Sequence, residues 1–463
     1  AGDLREVQVV HDRQLDMEGV LTSSYEEVKE NLLKTIDERR EEIVGFLQEL
    51  VRIPSPEGGG HKIQERVADY LRKMGADKVD IFKPDIKKLK KHPGFSPVFH
   101  EHGGTPVEEK PVVVATFKGT GRGRSLFFVG HMESATGPWE PATVERWKHD
   151  PFAAEIEGDA LYGKGVLNMK SGNAAGIMAL KAVREAGIKL KGDVFISTNI
   201  DEDIGSQGTL EVARRGYRAD AGLCPEPTGL NLVIANEGCQ HFRVIVRGRA
   251  TYTSGEYLCP NAIEKAFKVY WALKDLEAFR RATHKHPLFD HSGFIPITIG
   301  MIRGGTWPCN TAEECILEGT MHHLPDENLT DVKRQLEEQV KLCAQQDPFM
   351  KRYPPEVEWW EYWSDEEIDV NHPIVQITEE AYREVMGEGP RIAGFSAAGD
   401  ADKLTRYANT PTIFLGPKSA RYVERGRMPF EDPVDYDESV SVESYIQLTK
   451  IFALTILKWC GYE

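Results

Sequence analysis

The stretch SLFFVGHMES, residues 125–134, is a run of apolar residues that ends in a histidine and a glutamate. PVVVATF at 111–117 and DVFISTN at 193–199 are apolar runs of similar length, and short uninterrupted runs of this kind are typical of buried strands. The spacing of apolar residues at about 171–186 predicts a helix between the runs at 125–134 and 193–199. Strands that alternate with helices predict an α/β sheet covered by helices on both faces.

The segments around these strands continue the α/β pattern. Apolar residues at helical spacing predict one helix over 24–53 and a second over 60–75, while the polar residues 1–24 are expected to form an arm. Near the other end of the chain, TPTIFLG at 410–416 predicts a further strand, and 441–460 predicts a closing helix.

A different pattern separates these two halves. HFRVIVRG, which begins at His241, alternates apolar and polar residues as a strand with one wet face does. The segments that follow predict the order β-α-β-β-α-β, a four-stranded sheet with two helices on one side. The fold class is therefore α/β, with a ferredoxin-like (βαββαβ) domain at 239–364 inserted into a larger sheet domain of residues 25–238 and 365–463.

Composition excludes several classes of function. The formal net charge of −16 argues against a nucleic-acid partner, which needs a surplus of Lys and Arg. No segment has the apolar length of a membrane span, so we expect no membrane partner. The seven cysteines show no CxxC spacing, which favours reduced thiols and a cytoplasmic location.

Polar residues follow three of the predicted strands. GHMES contains His131 and Glu133, DED contains Glu202 and Asp203, and CPEP contains Glu226. Ligands of α/β sheets gather beyond the carboxyl ends of the strands, so these side chains are expected at one edge. A histidine with several carboxylates is a plausible site for a divalent metal, with a spare carboxylate as general base. The alternative is a solvated acidic loop beside a structural histidine.

The order and spacing of several motifs resemble the M20 family of metallopeptidases and amidohydrolases. The resemblance runs from about Val51 to the C-terminus, and it implies a catalytic domain with a lid domain through which subunits dimerise. The matching segments are VGHMES for GHxD, Trp147 with DPF at 150–152, GDALYGKGVLNMKSG for DG…YGRGxxDMKGG, DED for DEE, PEP, CPNAI and FLGP.

The resemblance implies a role for each matching residue. His131 corresponds to a metal ligand, and Glu133 to the carboxylate that orients this histidine. Glu202 corresponds to the general base, which activates a metal-bound water and later protonates the leaving nitrogen. Asp203 and Glu226 correspond to carboxylate ligands.

Several positions depart from the family pattern. The carboxylate that bridges two metals corresponds to Asn168, and the late histidine ligand corresponds to Val434. The lid histidine that reaches the developing oxyanion corresponds to Tyr252, whose phenol can still donate a hydrogen bond. The substrate-binding positions of the lid correspond to Asn310 and to His322, which stands where an arginine is usual.

These departures predict one weakly held divalent transition metal, Mn, Zn or Co, rather than two. His131 and Glu226 remain as ligands, with Asn168 and Asp203 as further oxygen donors, and an oxygen-rich set favours Mn²⁺. A carboxylate of the acidic tail could replace the missing histidine, although the sequence favours a charged surface loop there. Its acidic residues are Glu431, Asp432, Asp435, Asp437 and Glu438.

The sequence therefore predicts a metal-dependent hydrolase that cleaves a C–N bond of a small molecule, with Glu202 as base and acid. The bond would be an amide or an aromatic amine, the latter as in the 5-nitroanthranilate aminohydrolase branch of the family. We expect a homodimer formed through the lid, with the option of a higher oligomer. Two alternatives stay open: a metal-free pseudoenzyme that binds ligands or acts as a scaffold, and a metal-independent lyase or isomerase that uses Glu202 and Tyr252.

Overall fold

The computed structural model describes residues 24–55, 60–96, 109–134, 147–199, 202, 205–290, 293–420 and 437–463. The predicted N-terminal arm lies almost wholly outside these residues. The helices are α1 (Tyr25–Glu38), α2 (Arg40–Val51), α3 (His61–Lys73), α4 (Ile86–Leu89), α5 (Ser171–Glu185), α6 (Gln207–Arg214), α7 (Ala262–Thr283), α8 (Leu329–Gln345), α9 (Pro348–Arg352), α10 (Pro373–Met386), α11 (Ala401–Ala408) and α12 (Val442–Cys460).

The strands group into three sheets among the described residues. The strands are β1 (Lys78–Phe82), β2 (Val112–Phe117), β3 (Leu126–His131), β4 (Ile156–Glu157), β5 (Ala160–Tyr162), β6 (Val194–Asn199), β7 (Ala221–Cys224), β8 (Leu232–Asn236), β9 (Gly238–Arg247), β10 (Ile297–Gly304), β11 (Glu314–His323), β12 (Glu356–Trp363), β13 (Glu366–Glu367), β14 (Ile392–Phe395), β15 (Thr412–Phe414) and β16 (Ser439–Ser441).

The nine-stranded sheet has the order β1-β2-β6-β3-β7-β15-β8-β13, with β14 paired to β8. The four-stranded sheet has the order β10-β11-β9-β12, and the three-stranded sheet has the order β16-β5-β4.

Helices cover both faces of the large sheet, as the sequence predicted. Side chains alternate between the two faces of a strand. In β3, Leu126 and Phe128 belong to one apolar core with α5 and α12, whereas Phe127 and Val129 belong to a second core with α6 and α11. Every residue of β3 is buried, which explains why its sequence is an unbroken apolar run.

The prediction of a single helix over 24–53 is wrong. Arg39 lies between α1 and α2 with φ −98° and ψ 10°, outside the helical region. The apolar spacing continues on both sides of this one residue, because Ile36 and Ile43 pack into the same core. The pattern therefore predicts the buried face correctly but does not reveal the break.

The small sheet has the predicted ferredoxin-like order of elements. Its strands are antiparallel, with β9 between β11 and β12. Phe242 and Val244 of β9 pack against Leu273 of α7 and Leu336 of α8, so both long helices lie on one face. The short helix α9 is an addition before β12. The fold class is confirmed, and the boundaries at 239 and 364 stay a prediction.

In the part of the chain that the structure describes, we find no helix with both the length and the apolar character that crossing a membrane requires.

Candidate active site

Three adjacent strands bring the central polar residues together. β3 pairs in parallel with β6 on one side and with β7 on the other, so the carboxyl ends of all three meet at one edge. His131 ends β3, Glu202 follows β6, and Glu226 follows β7. These three side chains are buried, and one ligand atom of each lies within 4.8 Å of the others. We call them the His131 cluster.

The imidazole of His131 is oriented by contacts on both nitrogens. Nδ1 lies 3.5 Å from Oε2 of Glu133, which forms an ion pair with it. Nε2 lies 3.0 Å from Oδ1 of Asn168 and 3.6 Å from Oε1 of Glu226. A carboxylate behind one nitrogen and ligand atoms before the other is the usual arrangement of a metal-binding histidine. Glu133 lies beside the nitrogen of His131 that does not contact Asn168 and Glu226, and its orienting role stays a prediction.

Glu133 also connects this histidine to the predicted general base. Its Oε1 accepts a hydrogen bond of 2.6 Å from the backbone N–H of Glu202. One buried carboxylate therefore positions both His131 and the backbone of Glu202. Asp203, the further ligand that the sequence predicted, lies outside the described residues.

The electrostatics of the cluster favour a positive charge at its centre. Burial by itself lowers the pKa of His131, but the carboxylates of Glu133, Glu226 and Glu202 outweigh it and raise that pKa well above its usual value. The pKa of Glu133 is lowered: burial opposes this shift, and the neighbouring His131 produces it. A group of buried carboxylates around one imidazole would be stabilised by a bound cation.

Asn168 lies on a tight turn that precedes α5. The carboxylate of Glu438 accepts hydrogen bonds from three backbone N–H groups of this turn, at 2.7 Å from Gly165, 2.8 Å from Leu167 and 3.0 Å from Asn168. Both oxygens of Glu438 are therefore engaged by the backbone. Glu438 holds the turn in place and is not arranged as a substitute for the missing histidine ligand.

The other residues of the acidic tail add no ligand among the described residues. Asp437 accepts hydrogen bonds from the backbone N–H groups of Lys148, at 2.6 Å, and of His149, at 2.9 Å. The remaining tail residues that sequence reasoning considered lie outside the described residues, and so does the position that replaces the late histidine. They are Glu431, Asp432, Asp435 and Val434.

Tyr252 and Asn310 lie together on the lid. They form an isolated antiparallel bridge, and Thr253 N–H donates a hydrogen bond of 2.9 Å to the carbonyl of Cys309. The side chain of Tyr252 is 71% exposed. Within a single chain, the structure therefore does not bring Tyr252 to the buried cluster.

His322 belongs to a separate buried group that sequence reasoning missed. Its Nδ1 lies 2.9 Å from Oε2 of Glu237, and it pairs across the strands β9 and β11 with Cys239. Burial lowers the pKa of His322, but Cys239 and Glu237 raise it overall to about 10. Burial raises the pKa of Cys239, yet His322 and His241 bring it down to about 6. The charge of His322 is thus already balanced by protein groups.

The site and the fold together define a class of protein: an α/β protein with a second, smaller sheet and a candidate metal site at the edge of its large sheet. The chain belongs to the peptidase family M20/M25/M40, whose model matches residues 129–458. It is accordingly a hydrolase that acts on carbon–nitrogen bonds, and the comparisons give no support to the pseudoenzyme alternative.

Two curated relatives span nearly the whole chain. Both are named N-formyl-4-amino-5-aminomethyl-2-methylpyrimidine deformylase. The protein of Halalkalibacterium halodurans is 27% identical over 94% of this chain and 98% of its own length. The protein of Bacillus subtilis is 28% identical over 93% and 97%.

Solved structures of the family share the fold. Human carnosine dipeptidase 1 aligns with a TM-score of 0.68 at 17% identity, covering 94% of this chain and 99% of that structure. The dipeptidase Dug1p of Saccharomyces cerevisiae aligns with a TM-score of 0.70 at 14% identity, covering 93% and 98%.

Proposed function

We propose that this protein hydrolyses the amide of an N-acylated amine at the His131 cluster, and that a formamide attached to a nitrogen heterocycle is its substrate class. The observation that carries the proposal is the convergence of His131, Glu202 and Glu226 within 4.8 Å at one sheet edge. The names of the two full-length relatives support a formyl group on an aminomethylpyrimidine. These names also favour an amide over the aromatic amine that the sequence left open.

The residues of the cluster fit one divalent cation. Nε2 of His131 lies 3.0 Å from Oδ1 of Asn168 and 3.6 Å from Oε1 of Glu226, and an oxygen-rich set with one imidazole suits Mn²⁺, Zn²⁺ or Co²⁺. A bound cation would polarise the scissile carbonyl and lower the pKa of a water molecule. Asn168 supplies no negative charge, so we propose a single, weakly held ion.

Glu202 is suited to move the proton. Its side chain is buried beside His131 and Glu226, and its backbone is fixed by Glu133. In the proposed reaction the water oxygen bonds to the formyl carbon while Glu202 takes the water proton. Glu202 then gives this proton to the amine nitrogen as the C–N bond breaks, which releases the free amine and formic acid, and the acid ionises to formate in neutral solution.

We also propose that the active unit is a homodimer formed through the lid. β10 is an edge strand of the lid sheet, and large apolar side chains are exposed on it and on α7. Those residues are Phe267, Trp271, Met301 and Ile302. A second subunit on this surface would explain an exposed Tyr252, because the phenol could then donate a hydrogen bond to the oxyanion in the partner's site.

The test is formate release from N-formyl-4-amino-5-aminomethyl-2-methylpyrimidine, after removal of metals with EDTA and addition of Mn²⁺, Co²⁺ or Zn²⁺ in turn. The N-acetyl analogue and N-succinyl-diaminopimelate are the comparison substrates. We expect formate release only with added metal. Absence of hydrolysis with every metal and substrate would overturn the proposal, and activity that survives EDTA would favour the metal-independent lyase or isomerase.

Glu202→Gln separates chemistry from folding. We expect kcat to fall by about 100-fold or more, because general acid–base catalysis contributes about 10²–10⁴. Mn²⁺ binding by calorimetry should persist. Glu157→Gln, which changes an exposed carboxylate, is the matched control and should retain wild-type turnover.

A further inference from the structure

Asp400 is a fully buried carboxylate that the sequence motifs do not indicate. It immediately precedes α11 and has no exposed surface. Its Oδ1 accepts a hydrogen bond of 2.7 Å from the hydroxyl of Thr209, and its Oδ2 accepts one of 2.9 Å from Nδ2 of Asn199. Asn199 also donates to Thr209 at 2.6 Å, so the three side chains form a closed triangle.

The first corner of this triangle is joined to the strand that carries His131. Asn199 is the last residue of β6 and is the register partner of His131 in β3. The N–H of Met132 donates a hydrogen bond of 2.8 Å to the carbonyl of Asn199. The position of the Asn199 backbone therefore sets where β3 delivers its histidine.

The second corner is joined to the segment that carries Glu202. Thr209 lies in the first turn of α6. The turn before this helix is closed by a hydrogen bond of 3.1 Å from Gly205 N–H to the carbonyl of Glu202. An anchor on Thr209 thus fixes the start of α6 relative to the turn that contains the general base.

The third contact leads to Glu226. Gly399 precedes Asp400, and a methyl group at its Cα would lie 3.5 Å from Oε1 of Glu226. The backbone next to Asp400 therefore lies so near Glu226 that a side chain at position 399 would contact its carboxylate. Burial raises the pKa of Asp400, and the nearby charge of His131 opposes this shift.

We propose that Asp400 is a positioning residue that ties together the three segments of the His131 cluster and thereby sets the affinity of that cluster for a divalent cation. This inference rests on the proposed function, because it assumes that the cluster binds a metal. Asp400 itself is not a ligand: its two oxygens are engaged by Thr209 and Asn199, and it acts through the chain segments that those residues anchor.

The test is Mn²⁺ binding to Asp400→Asn by isothermal titration calorimetry, without substrate. Removing a group that orients metal ligands costs about 10–100-fold in metal affinity, and we expect a loss in this range. At saturating Mn²⁺, KM for the formamide should stay within about twofold while kcat falls, because a positioning group acts on the reacting groups more than on substrate binding.

Asp402→Asn is the matched control. Asp402 lies two residues further on, is equally buried, and accepts hydrogen bonds from Ser364 N–H at 3.2 Å and from Nζ of Lys403 at 2.9 Å. Asp402→Asn should lower the midpoint of thermal unfolding but retain wild-type Mn²⁺ affinity. Equal losses of affinity in both variants would show a general effect of removing a buried charge and would overturn the proposal.

Thr209→Val provides a second test that does not remove a charge. It deletes the donor to Oδ1 of Asp400, and its loss of Mn²⁺ affinity should not add to that of Asp400→Asn in the double variant, because both changes break one linkage. Full additivity would overturn the proposal. If the wild-type protein binds no Mn²⁺, the proposed function fails; if it binds and Asp400→Asn binds equally well, only this inference fails.

Discussion

The carboxylate of Glu438 accepts a hydrogen bond from the backbone N–H of Asn168, a residue 270 positions earlier in the chain. Together with the bonds from Gly165 and Leu167, this contact connects the segment before α12 to the turn that faces His131. The pKa of Glu438 is raised, because burial outweighs the three backbone donors and the charge of Lys170. An acidic residue of the tail thus serves the site as an anchor for the turn.

Glu438→Gln should destabilise the protein and weaken metal binding. An amide has only one oxygen, so at least one of the three N–H groups would face an NH₂ group and lose its acceptor. A buried unsatisfied donor costs about 1–3 kcal/mol, and we expect a loss of this size in the free energy of unfolding measured with guanidinium chloride. Glu157→Gln, at an exposed position, should change it by less than about 0.5 kcal/mol. An unchanged midpoint for Glu438→Gln would contradict the anchoring role.

Asn168→Asp should strengthen cation binding. Oδ1 of Asn168 lies 3.0 Å from Nε2 of His131, so the substitution places a negative charge beside the proposed ion. Metal affinity rises with the number of charged ligands, and we expect Mn²⁺ to bind at least about tenfold more tightly in calorimetry. Asn371→Asp adds the same charge at an exposed site and should have no effect. No gain in affinity would show that the amide does not face the ion.

Glu366 should make stability depend on pH. Its pKa is raised to about 7, first because burial disfavours the charged form; Arg406 opposes the shift, while Asp402 and Asp365 add to it. Between the unfolded pKa of about 4.3 and this value, the folded chain holds a proton that the unfolded chain has lost. The stability that Glu366 contributes through this proton is therefore fully present below the unfolded pKa and is lost as pH rises through about 7.

Glu366→Gln tests this dependence directly. From about pH 5 to about pH 8, the free energy of unfolding of the wild type should fall by about 1–2 kcal/mol relative to that of Glu366→Gln. Urea denaturation at both pH values measures it. Glu264→Gln, at an exposed position in the first turn of α7, should retain the wild-type pH dependence. A pH-independent difference for Glu366→Gln would mean that this carboxyl does not titrate in the folded chain over that range.

The strands could be predicted because burial leaves a direct trace in the sequence. β2 and β3 are buried along their whole length, so each is an uninterrupted apolar run. The break at Arg39 leaves no such trace, because Ile36 and Ile43 on either side of it still face one core. Apolar spacing reports which face of a segment is buried, and it is insensitive to a single residue that leaves the helical conformation.

The position of residues relative to strands predicted one part of the site, and the family resemblance indicated Asn168 in addition. His131, Glu202 and Glu226 each lie at or just beyond the carboxyl end of adjacent parallel strands, so the topology brings them together. Asp400 and Glu438 meet partners 191 to 273 residues away through the packing of α11 and of the segment before α12. No spacing rule relates residues at such separations, and the contacts appear only in the folded chain.

The last prediction concerns a site shared between subunits. If Tyr252 acts in the partner's site, Tyr252→Phe should lower kcat by about 100-fold, as removal of one oxyanion donor does. Glu202→Gln and Tyr252→Phe subunits, mixed in equal amounts and reassembled, should recover about a quarter of wild-type activity, because half of the dimers are hybrids with one intact site each.

Different affinity tags on the two variants verify that hybrids form. Glu202→Gln mixed with the Glu202→Gln/Tyr252→Phe double variant is the control and should recover nothing. Hybrids that form but stay inactive would show that Tyr252 acts in the site of its own subunit, and full activity of Tyr252→Phe alone would place Tyr252 outside the reaction.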